Sequence, residues 1–555
     1  MMVQKLFLKF VIFGIANANL VFGADPCFDV GPDPVTGGYA ICLQQDSCIT
    51  EPVAENACPS YPSDYSCCYH HVFPGREHRG AWIASVTNID WPTSPTSSVA
   101  AQQQQLTFLI NQIADAGLNA VYFQVRPAGD ALYQSDIEPW SIYLTGEPQG
   151  TVPSPMWDPL EYVINLCKPL NIQVHAWINP YRARLTPTSG GLAPNHMAIQ
   201  YPQCAYPFST YLWMDPGCEV VQNRTYSVAL DLVTRYDLDG LHMDDYFYPY
   251  PVTGWVFPDQ NTYNEYLQSG GVLGLDDWRR DNVNRLIQRM NDGIHEVKPW
   301  VIFSVSPFGI YRAGHPDGMP SPPIVGFDQY SEIYCDAKLW LKEGWIDILQ
   351  PQLYWRIAPP AQSYPFLLDW WVAEGQNPKL RHVCPGNYLS RVDIDGWPLW
   401  EIRDQIDITR EPANRKRGSW GNVQFSAKMF RDDFGGSVGF FGNFIYPLPA
   451  LQPVYPWLSN STFSKVETMQ PIILKSKERS SITVNVTITK DIITSGIVHK
   501  LAIYKHATEG QWTLYKVIPG EDIPHPIQLV TNGKYAATFV NRLGQESRKT
   551  FFKFP

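Results

Sequence analysis

The segment Asp239-Gly-Leu-His-Met-Asp-Asp245 holds the residue types best suited to chemistry in this sequence. Read as a β-strand, its alternate side chains face opposite ways. Leu241 and Met243 then form an apolar face, and His242 and Asp244 point the other way, with Asp245 at the turn out of the strand. Adjacent carboxylates repel, so one of the pair is expected to hold its proton more tightly than a free Asp. That difference is what acid–base catalysis uses. The blander role for either residue is to cap the loop through backbone N–H groups.

Other strand-like runs repeat the pattern. Val174, Ala176 and Ile178 alternate with His175, Trp177 and Asn179, and Val121, Phe123 and Val125 alternate with Tyr122, Gln124 and Arg126. Gln350, Gln352 and Tyr354 share a face, next to Trp355, and the stretch after Arg126 adds Asp130, Glu138 and Trp140. Glycoside hydrolysis needs two carboxyl groups across the scissile bond. Asp244 is the first candidate, as nucleophile or base. The second is Asp245, Asp130, Glu138 or a neighbouring loop residue, with a protonated Asp245 or Asp130 as the acid. His175, Arg126, Asn179 and Gln352 are candidates to orient hydroxyl or acetamido groups. Trp177, Tyr246 and Trp355 are candidates to stack on sugar rings. Gln124, His242, Tyr354 and Glu138 complete the substrate-binding set.

No cofactor is implied. His175, His242, Asp244 and Asp245 could instead ligate a divalent ion in a polysaccharide deacetylase, but no H-x-x-x-H spacing follows. A barrel that binds glycan without turnover is a third reading.

The elements that must position these groups alternate strand and helix. Strands are expected at 80–85, 120–125, 172–178, 240–243, 301–305, 346–350, 382–385 and 437–441. Helices lie between them, two opened by Asp158-Pro159 and Asp215-Pro216 as N-cap and first residue. Eight such units in series imply an α/β fold, a closed (β/α)₈ TIM barrel. Long insertions at 127–157, 180–214, 246–275 and 307–328 each follow a strand. They therefore fall on the catalytic face and suggest an extended cleft. No Gly-rich phosphate loop supports an open dinucleotide-binding sheet.

The barrel, assigned to 76–460, is flanked by two other regions. Residues 24–75 carry six of the chain's 11 cysteines and few aliphatics, so an N-terminal disulfide-rich module is expected. Residues 465–555 alternate β-branched and polar side chains between turns, as in a fibronectin- or immunoglobulin-like β-sandwich. Lys5 and Lys9, then an apolar run to Phe22, give 1–23 the layout of a signal peptide. With sequons at Asn223, Asn460 and Asn485, this implies a secreted or endomembrane-lumen glycoprotein with no membrane span. In the barrel, Cys204 and Cys218 flank one loop and are a candidate disulfide, as are Cys335 and Cys384, leaving Cys167 over. The net charge of −11 and the lack of a basic stretch argue against nucleic acid as a partner. A polysaccharide substrate is the one partner implied, with no protein partner.

The strings Arg79-Gly-Ala-Trp82, Gln124-Val-Arg-Pro-Ala-Gly-Asp-Ala-Leu-Tyr133, Glu138-Pro-Trp-Ser141, His175-Ala-Trp-Ile-Asn-Pro-Tyr-Arg182, Asp239 to Pro249, Ser304-Val-Ser-Pro-Phe-Gly309 and Pro351-Gln-Leu-Tyr-Trp355 resemble, in order, the glycosyl-hydrolase-like 10 family. The resemblance implies a barrel glycosidase, some bacterial members of which are understood to cut peptidoglycan strands stripped of peptides. The Asp-Gly-x-x-x-Asp strand also resembles that of retaining glucosidases, where the last Asp, here Asp244, is the nucleophile. Those enzymes carry a Glu after the fifth strand, and this chain does not. The Cys-rich module and sequons depart from the bacterial pattern.

Overall fold

The computed structural model describes residues 75–477 except 359, most of 481–554, and two short strands at 40–44 and 65–69. Those two strands pair antiparallel, with Cys42 opposite Cys67. The expected signal peptide and the cysteine pairing of the N-terminal module lie outside the described residues.

The centre is a curled parallel sheet. Its strands are β1 (His78–Ile83), β2 (Ala120–Arg126), β3 (Gln173–Ile178), β4 (Gly240–Met243), β5 (Ile302–Val305), β6 (Ile348–Leu349), β7 (His382–Val383), β8 (Gly386–Asn387) and β9 (Gly421–Gln424). They lie in the order β7-β6-β5-β4-β3-β2-β1-β9-β8. The two end strands belong to one run of chain, because β8 begins three residues after β7 ends. One split strand thus meets β6 on one side and β9 on the other, and the sheet curls into a TIM-like barrel.

Helices pack on its outer face. In α1 (Val99–Asp115), Leu106, Leu109, Ile110 and Ile113 are buried at helical spacing, and the Ser98 hydroxyl caps the start by accepting from the N–H of Ala101. Asp158 does the same for α2 (Pro159–Cys167), accepting from Glu161. Against them lie Val121, Phe123, Val174, Ala176, Leu241 and Met243, the outward half of each alternation. The other half turns inward, where Trp82, Tyr122, Trp177 and Val423 pack together. The barrel floor is sealed by Ile302, Ile348, Tyr455 and Leu543.

Three expectations are corrected. The eighth strand is β9, not 437–441. Residues Ser437–Phe440 are helical, and Phe441 and Ile445 bury themselves one turn apart. In β9 only Val423 faces the barrel interior, while Asn422 and Gln424 bond to Tyr364 and Asn387. Flanked by Gly and carrying polar side chains outward, that strand lacks an apolar signature. Asp215-Pro216 does not open the next helix. Asp215 accepts from Gly217 N–H and the Thr262 hydroxyl, and α3 (Glu219–Arg235) starts after Cys218. Cys204 and Cys218 form a disulfide, but Cys335 and Cys384 are buried free thiols, as is Cys167.

From residue 473 the chain forms two antiparallel sheets of three and four strands. They stand under the barrel's N-terminal end, where Arg542 pairs with Asp237 at 2.6 Å. The C-terminal end stays open. No helix among the described residues is long and apolar enough to cross a membrane.

Candidate active site

At the C-terminal mouth of the barrel lies a cavity of about 290 Å³. Asp244 and Asp245, the two residues after β4, line it, and both are buried. They are the only carboxylates among the described residues lining it. A second cavity, about 590 Å³, sits at the opposite end between the barrel and the C-terminal sheets. Among the charges lining it, Arg542 pairs with Asp237 and Lys168 with Glu521.

The electrostatics of the pair follow from burial. Loss of water raises the Asp244 carboxyl to about 7, and the like charge of Asp245 adds to the rise against the opposing pull of Arg182. Asp244 is held from β3: Asn179 Nδ2 donates to its Oδ1 at 2.9 Å. Burial raises Asp245 too, restrained by a hydrogen bond from the Tyr250 hydroxyl and by the nearby Gln352 amide, whose Nε2 donates to the Ser306 carbonyl at 3.0 Å.

His242 sits one layer below with both ring nitrogens committed. The Trp82 indole N–H can only donate, so Nε2 of His242 accepts it at 3.0 Å. Nδ1 therefore carries the proton and donates to Ser304 Oγ at 2.9 Å. This ring is neutral, its basicity driven well down by burial. His175 lies deeper still, opposite Gly240 in the register, packed against Tyr122 at 4.6 Å and edge-on to His78. Gly240 is required there, because a side chain on it would overlap the His175 ring.

The remaining candidates divide in two. Gln124, Trp177, Tyr246, Gln352 and Tyr354 line the cavity with the carboxylates. Oε1 of Gln124 accepts from the N–H groups of Ser85 and Val86, at 3.0 and 2.9 Å. That fixes the amide, and Nε2 is left buried without a partner. The Trp177 indole N–H makes no hydrogen bond, yet it lies close enough to Asp244 to favour its charged form. Tyr246 stacks under Arg182, whose guanidinium carbon is 4.9 Å from the ring centre.

Arg126, Glu138, Asp130 and Trp355 stand outside the lining. Arg126 donates to Glu138 at 2.7 Å and to the carbonyl of Asn179 at 2.6 Å. Glu138 also meets Arg224 at 2.9 Å. Burial alone would raise Glu138, but the two guanidinium groups outweigh it and hold the carboxyl low. Asp130 accepts from the N–H of Ala128 at 3.0 Å, and burial lifts it to about 6. Trp355 packs edge-on against Phe308, 5.5 Å between centroids.

Arg182 was absent from the expected site. It lines the cavity, is 4% exposed, and one of its terminal nitrogens has no partner. Its one sequence signal is a charge within three residues of Asn179, at the start of a long loop on the catalytic face. Trp82, Tyr388 and Phe425 were likewise absent, and they supply aromatic walls.

A parallel barrel with two buried acids at the open end of its fourth strand, in a cavity walled by aromatic rings, defines the chain as glycosidase-like. Over residues 77–394 it matches the family described as glycosyl hydrolase-like 10, and the chain belongs to that family. It is 37% identical to glycosyl hydrolase YngK of Bacillus subtilis (strain 168) over 70% of this chain and 76% of the relative. It is 34% identical to glycosyl hydrolase DigH of Escherichia coli (strain K12), over 53% of this chain and 69% of the relative. Among solved structures it is similar to the PgaB (BpsB) glycoside hydrolase domain from Bordetella bronchiseptica, with a TM-score of 0.42 and 14% identity over 66% of this chain and 98% of that one.

Proposed function

We propose that this protein is a secreted glycoside hydrolase that cleaves O-glycosidic bonds in an amino-sugar polysaccharide, peptide-free peptidoglycan or a related glycan. The observation that carries the reading is the Asp244–Asp245 pair, buried together in the open mouth of the barrel. The family and the names of both relatives support it.

The electrostatics support a division of roles opposite to the one expected from sequence. Asp244, raised to about 7, holds a proton it can give to a leaving oxygen at neutral pH and take back from water. Asp245 is raised by burial as well, but it accepts a hydrogen bond from the Tyr250 hydroxyl and lies near the Gln352 amide, both of which favour its ionised form. Asn179 and Arg182 keep Asp244 in place and within range of charge. Tyr246, Trp177 and Tyr354 offer faces for sugar rings.

The test incubates the protein and its Asp244→Asn variant with peptide-free peptidoglycan strands and with chitin oligomers, with and without chelator, reading products by mass spectrometry. Cleavage by the unmodified protein alone, indifferent to chelator, is expected. Acetate release that chelator stops, or tight binding by both proteins with no product, would overturn the reading.

A further inference from the structure

Hydrolysis by two enzyme carboxyl groups needs one beside the leaving oxygen and another on the opposite face of the anomeric carbon, as nucleophile or base for water. Here both carboxylates come from consecutive residues, whose Cα atoms stand about 3.8 Å apart, at the end of a single strand. They therefore belong to one wall. The walls contributed by the other strands carry Trp82, Ser306, Phe308, Tyr388 and Phe425 and, among the described residues, no acid. Asp130 and Glu138 do not fill the gap. The first is bonded to its own loop and the second is locked between Arg126 and Arg224. Nor do phenols: burial beside the carboxylates pushes Tyr246 and Tyr354 above their ordinary range, away from a nucleophilic phenolate.

A second observation concerns donors. Gln124 and Arg182 both line this cavity, and Gln124 Nε2 and one terminal nitrogen of Arg182 are buried there without a hydrogen-bond partner. Buried donors want acceptors. An acetamido group on the sugar brings a carbonyl oxygen for such donors and an N–H for an ionised carboxylate.

We propose that the nucleophile is the carbonyl oxygen of the substrate's own 2-acetamido group, served by both carboxylates from one side; this rests on the glycosidase reading above. The acetamido oxygen forms a bond to C1 as the bond from C1 to the leaving oxygen breaks. Asp244 gives its proton to that oxygen, and Asp245 holds the acetamido N–H as positive charge develops on the fused five-membered ring. Water then attacks C1, its proton returns to Asp244, the ring reopens and the acetamido group is restored. The net reaction is hydrolysis with retained configuration, and it excludes sugars whose C2 carries a hydroxyl or a free amine.

The experiment uses the full chain and whichever of chitin tetramer or peptide-free peptidoglycan strand it cleaves. That glycan is compared with its de-N-acetylated and N-trifluoroacetylated forms. A thiazoline-fused N-acetylglucosamine is added as inhibitor, and the first-formed anomer is read by NMR. Expected are no cleavage of the free amine and a loss of about 100-fold or more for the trifluoroacetyl form, the scale of a disabled catalytic group. Competitive inhibition by the thiazoline and retention are also expected. Cleavage of the free amine at an equal rate, an inverted product, or a sugar trapped on a carboxylate peptide would overturn the inference and leave the glycosidase reading intact. Failure to cleave either N-acetylated glycan would overturn both.

Discussion

Asn179 joins Asp244 to the loop that follows β3. Its Nδ2 donates to Asp244 Oδ1 at 2.9 Å, and its own Oδ1 accepts from the N–H of Arg182 at 2.9 Å. The backbone donor fixes which end of the amide faces the carboxylate, so Asp244 always meets an N–H and never a carbonyl.

Asn179→Asp tests that link. The new carboxylate still accepts from Arg182 N–H, but its second oxygen faces Asp244 with like charge. The Asp244 carboxyl, at about 7 in the native protein, then rises further. The alkaline limb of the kcat/KM profile is expected to move to higher pH while kcat falls about 10-fold or more. An unmoved limb would mean that Asp244 is not the group whose ionisation limits the rate.

Asp244→Asn should abolish activity, by a factor of about 10² to 10⁴, and stabilise the fold at high pH. The native carboxyl is raised from 3.8 to about 7, so the folded state binds more protons than the unfolded one across that window. Its contribution to stability is present at acid pH and falls as pH climbs through the window, by about 1.4 kcal/mol per unit at most. Asparagine loses nothing there and still accepts from Asn179. The variant should melt above the native protein at pH 8, with the gap closing towards pH 4. A gap independent of pH would mean Asp244 is ionised throughout.

Glu138→Ala separates structure from substrate binding. It leaves Arg126 and Arg224 without their buried partner, a cost of about 3–5 kcal/mol. Thermal melting should drop by several degrees, while KM of the protein still folded at low temperature stays close to native. A large rise in KM with little loss of stability would place Glu138 on the substrate instead.

Gln124→Glu keeps an oxygen for the N–H groups of Ser85 and Val86 and removes the buried donor that has no partner. KM for a cleaved glycan should rise about 10-fold, the order of one lost hydrogen bond. Circular dichroism at room temperature should match the native protein. If KM does not change, Nε2 does not meet the sugar.

The sequence made the barrel and its acid pair legible because both are written in alternation. Leu241 and Met243 against His242 and Asp244 is a period-two pattern, and it decides which side chains reach the interior. Depth along the strand is not written that way. His175, Trp177 and Asn179 share one face of β3, yet His175 is packed in the layer below, Trp177 lines the cavity and Asn179 grips Asp244. Arg126 carries the same inward signal, but β2 and β3 lose register between Gln124 and Arg126. That irregularity re-aims the guanidinium at Glu138 and at backbone carbonyls. Arg182 could not be found by alternation along β3, because it lies past that strand, at the start of a short strand of the insertion that pairs antiparallel at Trp213.

The split strand at His382–Asn387 bears on how this protein is made. β1 pairs on one side with β2, soon after it leaves the ribosome, but its other partner is Gly421–Gln424. Until that stretch has been synthesised, every growing chain presents two open sheet edges, one at β1 and one at its newest strand. Such edges invite pairing with other chains. Fragments that stop short of residue 421 should therefore aggregate rather than fold. A chain of this design needs protection during synthesis until its last barrel strand arrives.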